Sequence, residues 1–152
     1  SRAVAPVPTF VPIWLDPLMT VHGSTFVSDV VELAGGANVF ADRRRRYPLR
    51  ADLGARPAVD KPGRDTRYPR VRFDEVIERA PSLLLLPDEP FAFTADHAAD
   101  FARRLGPSLD DFQIELCSGK ELMWYGFRSL EGIDAVVAAL DRRRERKVSS
   151  AG

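Results

Sequence analysis

The sequence predicts an α/β fold, a three-layer sandwich with a mostly parallel central sheet. Strand-like apolar segments alternate with amphipathic segments of helical spacing along the chain, and this order is typical of parallel sheets covered by helices. The run Leu83–Leu86 contains four apolar residues without alternation, which indicates a strand buried on both faces. The length of 152 residues is sufficient for one domain with one core.

The first part of the chain predicts a strand, a loop and a helix. Apolar residues in Phe10–Leu15 suit a strand, which ends at Asp16-Pro17 because proline lacks a backbone donor. Helical spacing over Phe26–Ala34 predicts a helix with one buried face, and Gly35-Gly36 is a strong stop signal. The connecting loop Pro17–His22 is unusually apolar. It either forms the rim of a ligand site or packs under the helix.

Two helices flank the predicted central strand. Asp74 and Glu75 favour a helix N-terminus, and Pro81 ends that helix before Leu83–Leu86 begins. Thr94 is placed to cap the second helix. The inner face of this second helix is expected to contain Ala98, Phe101, Ala102 and Leu105.

The last third of the chain predicts a hairpin and a final helix. Apolar and polar residues alternate in Phe112–Leu116, Ser118-Gly119-Lys120 has the composition of a turn, and Glu121–Tyr125 suits a further strand. These two strands are expected to pair as a hairpin. A final helix is predicted over Ser129–Arg146, with a charged tail after it.

Composition argues against several classes of function. Lysine and arginine number 22, as do aspartate and glutamate, so no net charge attracts the chain to nucleic acid or to an anionic membrane. Cys117 is the only cysteine, which excludes an intramolecular disulfide and a thiolate metal cluster. No apolar run is long enough to span a bilayer, and the sequence does not open with a signal peptide. The start at Ser1, without methionine, suggests a processed product or an excised segment.

The sequence also lacks catalytic and metal-binding patterns. His22 and His97 are far apart, and neither belongs to an HExxH motif or to another spacing typical of metal ligands. No serine lies in a GxSxG nucleophile elbow. Gly35-Gly36 follows a helix, whereas a phosphate-binding glycine loop precedes one. The sequence therefore predicts a protein that is not an enzyme and that has no resident metal or cofactor.

Four segments, in the same order, resemble one protein family. The first is Trp14–Phe40, with its Asp-Pro turn, its Gly-Gly helix end and Asn-Val-Phe. The others are Tyr68–Ile77, the apolar strand within Arg79–Pro87, and Leu122–Arg128, which contains Trp-Tyr-Gly. Together they resemble the C-terminal lobe of class III periplasmic solute-binding proteins, in which a helical backbone joins two lobes. The resemblance covers about residues 10–140.

The resemblance implies a ligand, two partners and a location. Members of this class capture cobalamin, haem or a ferric siderophore between two lobes and deliver it to an ABC permease. It implies a missing N-terminal lobe, and a periplasmic or extracellular membrane-associated location if the lost N-terminus carried a signal. In some members an acidic residue after the late aromatic pair contacts the permease, but Gly126 stands at that place here. The alternative is a cytoplasmic α/β interaction or nucleotide-binding domain.

Under this interpretation the chain divides into three parts. Residues 1–9 are an N-terminal tail or the end of a linker, residues 10–141 are the lobe with a loop excursion at 42–67, and residues 142–152 are a charged tail. The excursion is rich in arginine. Its arginines can bind phosphate or nucleic acid, form a solvated loop paired with nearby aspartates, or grip ligand carboxylates at the mouth of a cleft. The balanced charge argues against nucleic acid as a partner.

Ligand contacts are expected at or just beyond the strand ends. Aromatic rings at these positions can meet a flat macrocycle, and core packing is the alternative for each ring. His22 either caps the following helix or faces the ligand, where it could serve as an axial metal ligand of a bound chelate. The predicted ligand-binding residues are Trp14, Met19, His22, Phe91, Tyr125, Phe127 and Arg128.

Overall fold

The computed structural model describes residues 5–123 and 137–146 of the chain. Its sheet consists of β1 (Val7–Phe10), β2 (Gly36–Asn38), β3 (Leu83–Pro87) and β4 (Gln113–Cys117), in the spatial order β2-β1-β3-β4. Each neighbouring pair of these strands is parallel. The carboxyl ends of the strands therefore meet at one edge of the sheet, and the predicted α/β class is confirmed.

Helices cover both faces of the sheet. They are α1 (Phe26–Leu33), α2 (Leu49–Asp52), α3 (Phe73–Arg79), α4 (Ala95–Leu105), α5 (Gly119–Met123) and α6 (residues 137–146). Leu83 and Leu85 pack in one core cluster with residues of α1, α5 and α6, whereas Leu84 and Leu86 pack in a second cluster with residues of α3 and α4. All four leucines of β3 are at 0% exposure, as the uninterrupted apolar run predicts. The result is the expected three-layer arrangement.

Two of the helices begin at side-chain caps. Thr25 Oγ1 accepts a hydrogen bond from Ser28 N (3.2 Å) at the start of α1. At the start of α4, the predicted cap Thr94 forms a capping box with His97, whose Nδ1 accepts from Thr94 N (3.0 Å). Satisfying free N–H groups in this way stabilises a helix by about 1 kcal/mol per cap. Ala102 of α4 is exposed, contrary to its expected place on the inner face.

The first strand lies earlier in the chain than predicted. It occupies Val7–Phe10 rather than Phe10–Leu15, so it includes part of the expected tail. After Phe10 the chain leaves the sheet and folds back on itself, because Ile13 N donates to Met19 O (2.8 Å) and Met19 N donates to Trp14 O (3.1 Å). Strand β2 was not predicted, since its three residues carry no apolar alternation.

The predicted hairpin is wrong. Strand β4 pairs in parallel with β3, and Gly119–Met123 is the helix α5 instead of a turn and a strand. Asp88, in the loop after β3, accepts a hydrogen bond from Gly119 N (2.8 Å) through Oδ1. A carboxylate distant in sequence thus stabilises the start of α5. Tyr125, the end of the predicted strand, lies outside the described residues.

The excursion at 42–67 is only partly a surface loop. Residues 54–65 are exposed, but Asp52 is fully buried, and Arg43 and Arg70 are nearly so. The Asp52 carboxylate accepts from Arg43 Nη1 (2.8 Å), from Arg70 Nε (2.7 Å) and from the backbone N–H groups of Arg46 and Arg70. Of the three alternatives for this segment, the solvated loop paired with aspartates therefore holds only in part: Arg43 does pair with Asp52, but the pair is buried rather than solvated.

The predicted charged tail also begins inside a helix. Helix α6 continues to residue 146, and Arg143 is buried and pairs with Asp111 (3.2 Å). The part of the final helix predicted to begin at Ser129 lies outside the described residues as far as residue 136. Among the described helices, none has the length and apolar character needed to cross a bilayer.

We expect Leu84→Asp to lower the free energy of unfolding by several kcal/mol, because it places an unpaired carboxylate in the fully buried interior of β3. Leu116→Asp is the matched control, since Leu116 lies in β4 and is 48% exposed. Urea denaturation followed by circular dichroism measures both variants. Equal unfolding midpoints for the two would contradict the central position of β3.

Asp52→Asn is expected to cost about 3–5 kcal/mol of stability, because it leaves the buried guanidinium of Arg70 without its counter-charge and leaves Arg43 paired with Glu75 alone. Burial alone would raise the pKa of Asp52, but the hydrogen bonds from Arg46, Arg70 and Arg43 lower it below its ordinary value. The stabilisation of the folded state by the Asp52 carboxylate is therefore fully present above the ordinary pKa of an aspartate. It is lost as the pH falls through the lowered pKa of Asp52.

Asp65→Asn provides the control for this variant, because the Asp65–Arg67 pair is about half exposed on both sides and solvent screens its contribution to stability. Denaturant titrations between pH 7 and pH 3 give the comparison. The parent should lose more stability than Asp52→Asn on acidification, and parallel pH profiles would show that Asp52 is not the group responsible.

Candidate functional site

An apolar groove lies at the carboxyl edge of the sheet. It has a volume of about 580 Å³. Three parts of the chain build it: the segment after β1 together with the start of α1, the two ends of the arginine-rich excursion, and the loop after β3. The lining residues are Ile13, Trp14, Met19, Ser24, Thr25, Phe26, Val27, Asp29, Arg45, Arg67, Tyr68 and Pro90.

Trp14 presents the largest ring of the lining. It is 42% exposed and is supported by Phe91, whose ring lies edge-on at a centroid distance of 5.4 Å. Phe91 in turn contacts Phe93 (4.7 Å) and His97 (5.2 Å). Edge-to-face contacts of this kind fix ring orientation. The predicted site residue Phe91 thus lies behind the groove and positions Trp14.

Met19 connects two walls of the groove. Its backbone forms an antiparallel bridge with Trp14 on one side and with Arg70 on the other. The flanking bonds Thr20 N to Pro69 O (3.0 Å) and Val71 N to Leu18 O (2.9 Å) extend the second pairing. The segment 67–71 therefore lies firmly beside the loop that follows β1. This places the half-buried Tyr68 next to Met19 in the lining.

The start of α1 forms another wall. Thr25 holds the first turn through its cap and donates from Oγ1 to His22 O (2.9 Å). Phe26, the first residue of the helix, is 67% exposed and lines the groove. Sequence reasoning placed Phe26 on the buried face of the helix. The structure instead leaves this ring exposed in the lining of the groove, whereas Val27 and Ser28, the next residues of the same turn, are buried.

His22 lies beside the groove but does not line it. Its Nδ1 accepts from Ser24 N (3.0 Å), and its backbone N donates to Arg67 O (2.8 Å). The ring therefore stabilises the turn that leads into α1. Burial, followed by the positive charge of Arg44, lowers the pKa of His22, whereas the carboxylate of Asp42 acts in the opposite direction.

Two arginines of the excursion reach the groove. Arg67 is exposed and makes a forked pair with Asp65, at 3.0 Å from Nε and 2.9 Å from Nη2. Arg45 is half-buried, and its backbone N donates to Thr66 O (2.9 Å). The sequence indicated that arginines of this segment could meet a ligand, but local patterns do not show which of them would do so.

The remaining predicted site residues cannot be placed. Tyr125, Phe127 and Arg128 lie outside the described residues, so their assignment stays a prediction. Within residues 5–123 and 137–146, no group of three histidine, cysteine, aspartate or glutamate side chains is arranged to hold a metal ion. In the described region, the groove combines apolar surface with a few polar groups, as binding pockets do.

No protein-family model and no curated protein matches this sequence. Solved structures do match the fold. The periplasmic vitamin B12 binding protein BtuF of Vibrio cholerae aligns with a TM-score of 0.64 and 19% identity, over 91% of this chain and 46% of that protein. A protein of Staphylococcus epidermidis described as a possible iron-binding (periplasmic solute-binding) protein aligns with a TM-score of 0.61 and 15% identity, over 92% and 47%.

A third solved structure gives the same result. The periplasmic heme-binding protein RhuT from Roseiflexus sp. RS-1 aligns with a TM-score of 0.58 and 18% identity, over 93% of this chain and 49% of that protein. The chain thus spans about half the length of the solved structures it resembles. It has the fold of one lobe of a periplasmic binding protein, which confirms the fold implied by the sequence motifs.

We expect His22 to titrate below the ordinary histidine pKa of 6.5 in the folded chain. Arg44→Gln should raise the pKa of His22, and Asp42→Asn should lower it further, because each variant removes one of the two charges that act on the ring. A pH titration of the ring protons by NMR measures all three proteins. A parent value at or above 6.5, or a decrease on Arg44→Gln, would contradict the geometry around His22.

Proposed function

We propose that the chain is the C-terminal ligand-binding lobe of the solute-binding component of an ABC importer, and that its ligand is a metal chelate: a corrinoid, haem or a ferric siderophore. The observation that carries this proposal is the apolar groove at the carboxyl edge of the parallel sheet. Ligands of open α/β sheets bind outside this edge. The names of the solved structures with this fold, which refer to vitamin B12, iron and heme, support the same class of ligand.

The chemistry of the lining suits a large ligand with an apolar surface. Trp14 and Phe26 offer exposed rings, Met19 offers a polarizable thioether, and Tyr68 combines a ring with a hydroxyl group. Such groups contact flat or rounded macrocycles without requiring a fixed pattern of polar partners. The volume of about 580 Å³ lies within the common range of about 300–1,000 Å³ for small-molecule pockets.

The groove is partly open to solvent, which is consistent with a second lobe as its other wall. A ligand held by this lobe alone keeps only part of its contacts, while the loss of translational and rotational freedom is still to be offset. We therefore propose that tight binding requires the two-lobed protein. Delivery to a permease, and a location outside the cytoplasmic membrane, follow from this role. Glu89 is exposed next to the lining residue Pro90 and is a candidate for permease contact.

The direct test is calorimetric titration of a two-lobed protein containing this chain with hemin, cyanocobalamin and ferric siderophores. We expect at least one of them to bind at micromolar concentration or below, and the 152-residue chain to bind it more weakly. Trp14→Ala should weaken binding about tenfold, the effect of losing about 1.4 kcal/mol of contact energy. Leu33→Ala is the control, because Leu33 is 63% exposed on α1 but does not line the groove.

Two results would count against the proposed function. Failure of the two-lobed protein to bind any member of the panel at micromolar concentration would remove the solute-receptor role. Equal effects of the Trp14 and Leu33 variants would show that the ligand binds elsewhere on the protein. Intrinsic fluorescence adds an independent signal. This chain has two tryptophans, and a Trp124→Phe background leaves Trp14 as the only tryptophan of this chain.

A further inference from the structure

One end of the groove carries a concentration of positive charge around Tyr47. The guanidinium carbons of Arg45, Arg70 and Arg64 lie 4.8, 5.5 and 5.7 Å from the centre of its ring. Of these, Arg45 lines the groove directly. The aromatic face stabilises nearby cations, so the ring allows three guanidinium groups to approach one another.

The charges of this cluster are not all neutralised. Arg70 is paired with the buried Asp52, and the neighbouring Arg67 is paired with Asp65. Within the described residues, Arg45 and Arg64 have no carboxylate at salt-bridge distance. In addition, Arg45 Nε is buried and has no hydrogen-bond acceptor among these residues. One unpaired positive charge, that of Arg45, therefore lies in the lining of the groove, and a second, that of Arg64, lies beside it in the Tyr47 cluster.

Local contacts hold Arg45 in place for a ligand. Its backbone is tied to Thr66, and Tyr47 is fixed by the bond from its hydroxyl to Asp65 O (2.8 Å). The N–H groups of a guanidinium lie in its own plane. When one face of the guanidinium is covered by an aromatic ring, its edge stays open, and a carboxylate can accept two hydrogen bonds there. Little side-chain entropy is then lost when an anion binds.

The titration of Asp65 is consistent with positive potential at this end. Hydrogen bonds from the Arg67 side chain and backbone lower the pKa of Asp65 to about 2, and the charge of Arg45 adds to this shift. Asp29 is the only acid among the lining residues in the described part of the chain, and it lies on α1. The groove is thus polarised between an arginine end and the helix wall.

We infer that Arg45, with Arg64 beside it, forms an anion subsite that binds carboxylates of the ligand. The inference rests on the proposed function and narrows it to chelates that carry carboxylates. An iron porphyrin with propionate groups and a ferric chelate of a polycarboxylic acid both belong to this class. A corrinoid whose side chains are amides does not, because its amide oxygens accept hydrogen bonds from a guanidinium but supply no carboxylate counter-charge.

The test compares matched ligands on the two-lobed protein. Hemin is titrated against hemin dimethyl ester, which has the same ring without free carboxylates, and ferric citrate is titrated against cyanocobalamin. Arg45→Gln is expected to weaken binding of the carboxylate ligand about tenfold and to leave binding of hemin dimethyl ester, which has no free carboxylate, unchanged. Arg64→Gln should have a smaller effect in the same direction. Arg56→Gln, an exposed arginine outside the lining, is the control.

A second measurement uses the 152-residue chain alone and does not depend on the other lobe. The Nε–H signal of Arg45 in an NMR spectrum, assigned by its loss in Arg45→Gln, is followed during titration with citrate. We expect a saturable shift of this signal and no such shift for Arg56. Circular dichroism melts of each variant establish that the fold is retained.

The outcomes separate the subsite from the proposed function. If the two-lobed protein binds hemin or ferric citrate and Arg45→Gln has no effect, the subsite is overturned while the receptor role stands. If the two-lobed protein binds hemin dimethyl ester more tightly than hemin, or cyanocobalamin more tightly than ferric citrate, the inference that the ligand carries carboxylates is overturned while the receptor role stands. If no chelate binds, the proposed function and the subsite both fail. Discrimination by Arg45 in either carboxylate pair, together with the citrate shift, supports the inference and identifies the chemistry of the ligand.

Discussion

The buried carboxylate of Asp52 joins segments that are far apart in the chain and that together form one wall of the groove. It binds Arg43 and Arg46 before it in the sequence and Arg70 after it. Arg70 is also the residue that pairs with Met19 in the loop after β1. The positions of Arg45, Arg67 and Tyr68 therefore depend on an interaction in the interior, because the arginine-rich segment has little apolar surface of its own to hold it.

Short-range sequence patterns were sufficient to predict the helices and the strand whose signals lie within their own residues. Strand β3 and helices α1 and α4 follow from an apolar run, from helical spacing and from a capping residue, all readable within a short window. Strand β2 could not be read in this way, because it is held by its pairing with β1 and by the Asn38 side chain, which donates to Val21 O (2.9 Å). Helix α5 was mistaken for a strand because the carboxylate at its start comes from Asp88.

The same distinction applies to the candidate site. Trp14 and Met19 were predictable because they follow a strand in a loop of unusual apolar content, and both line the groove. His22 and Phe91 belong to the same region, but their side chains support neighbouring residues rather than the groove itself. Arg45, Arg67 and Tyr68 reach the groove through contacts between distant segments, and no short-range pattern distinguishes Arg45 from the other arginines nearby.

The exposed residues 54–65 lie between two anchored points, Asp52 and the segment 67–71. The ends of this loop are fixed by the buried ion cluster and by backbone pairing. Its length therefore affects the free energy of unfolding mainly through the entropy of closing the loop. Doubling such a loop costs only about 0.6 kcal/mol. Insertions and deletions within residues 54–65 are therefore expected to cost little stability and to leave the sheet unchanged, while they reshape the surface beside the groove.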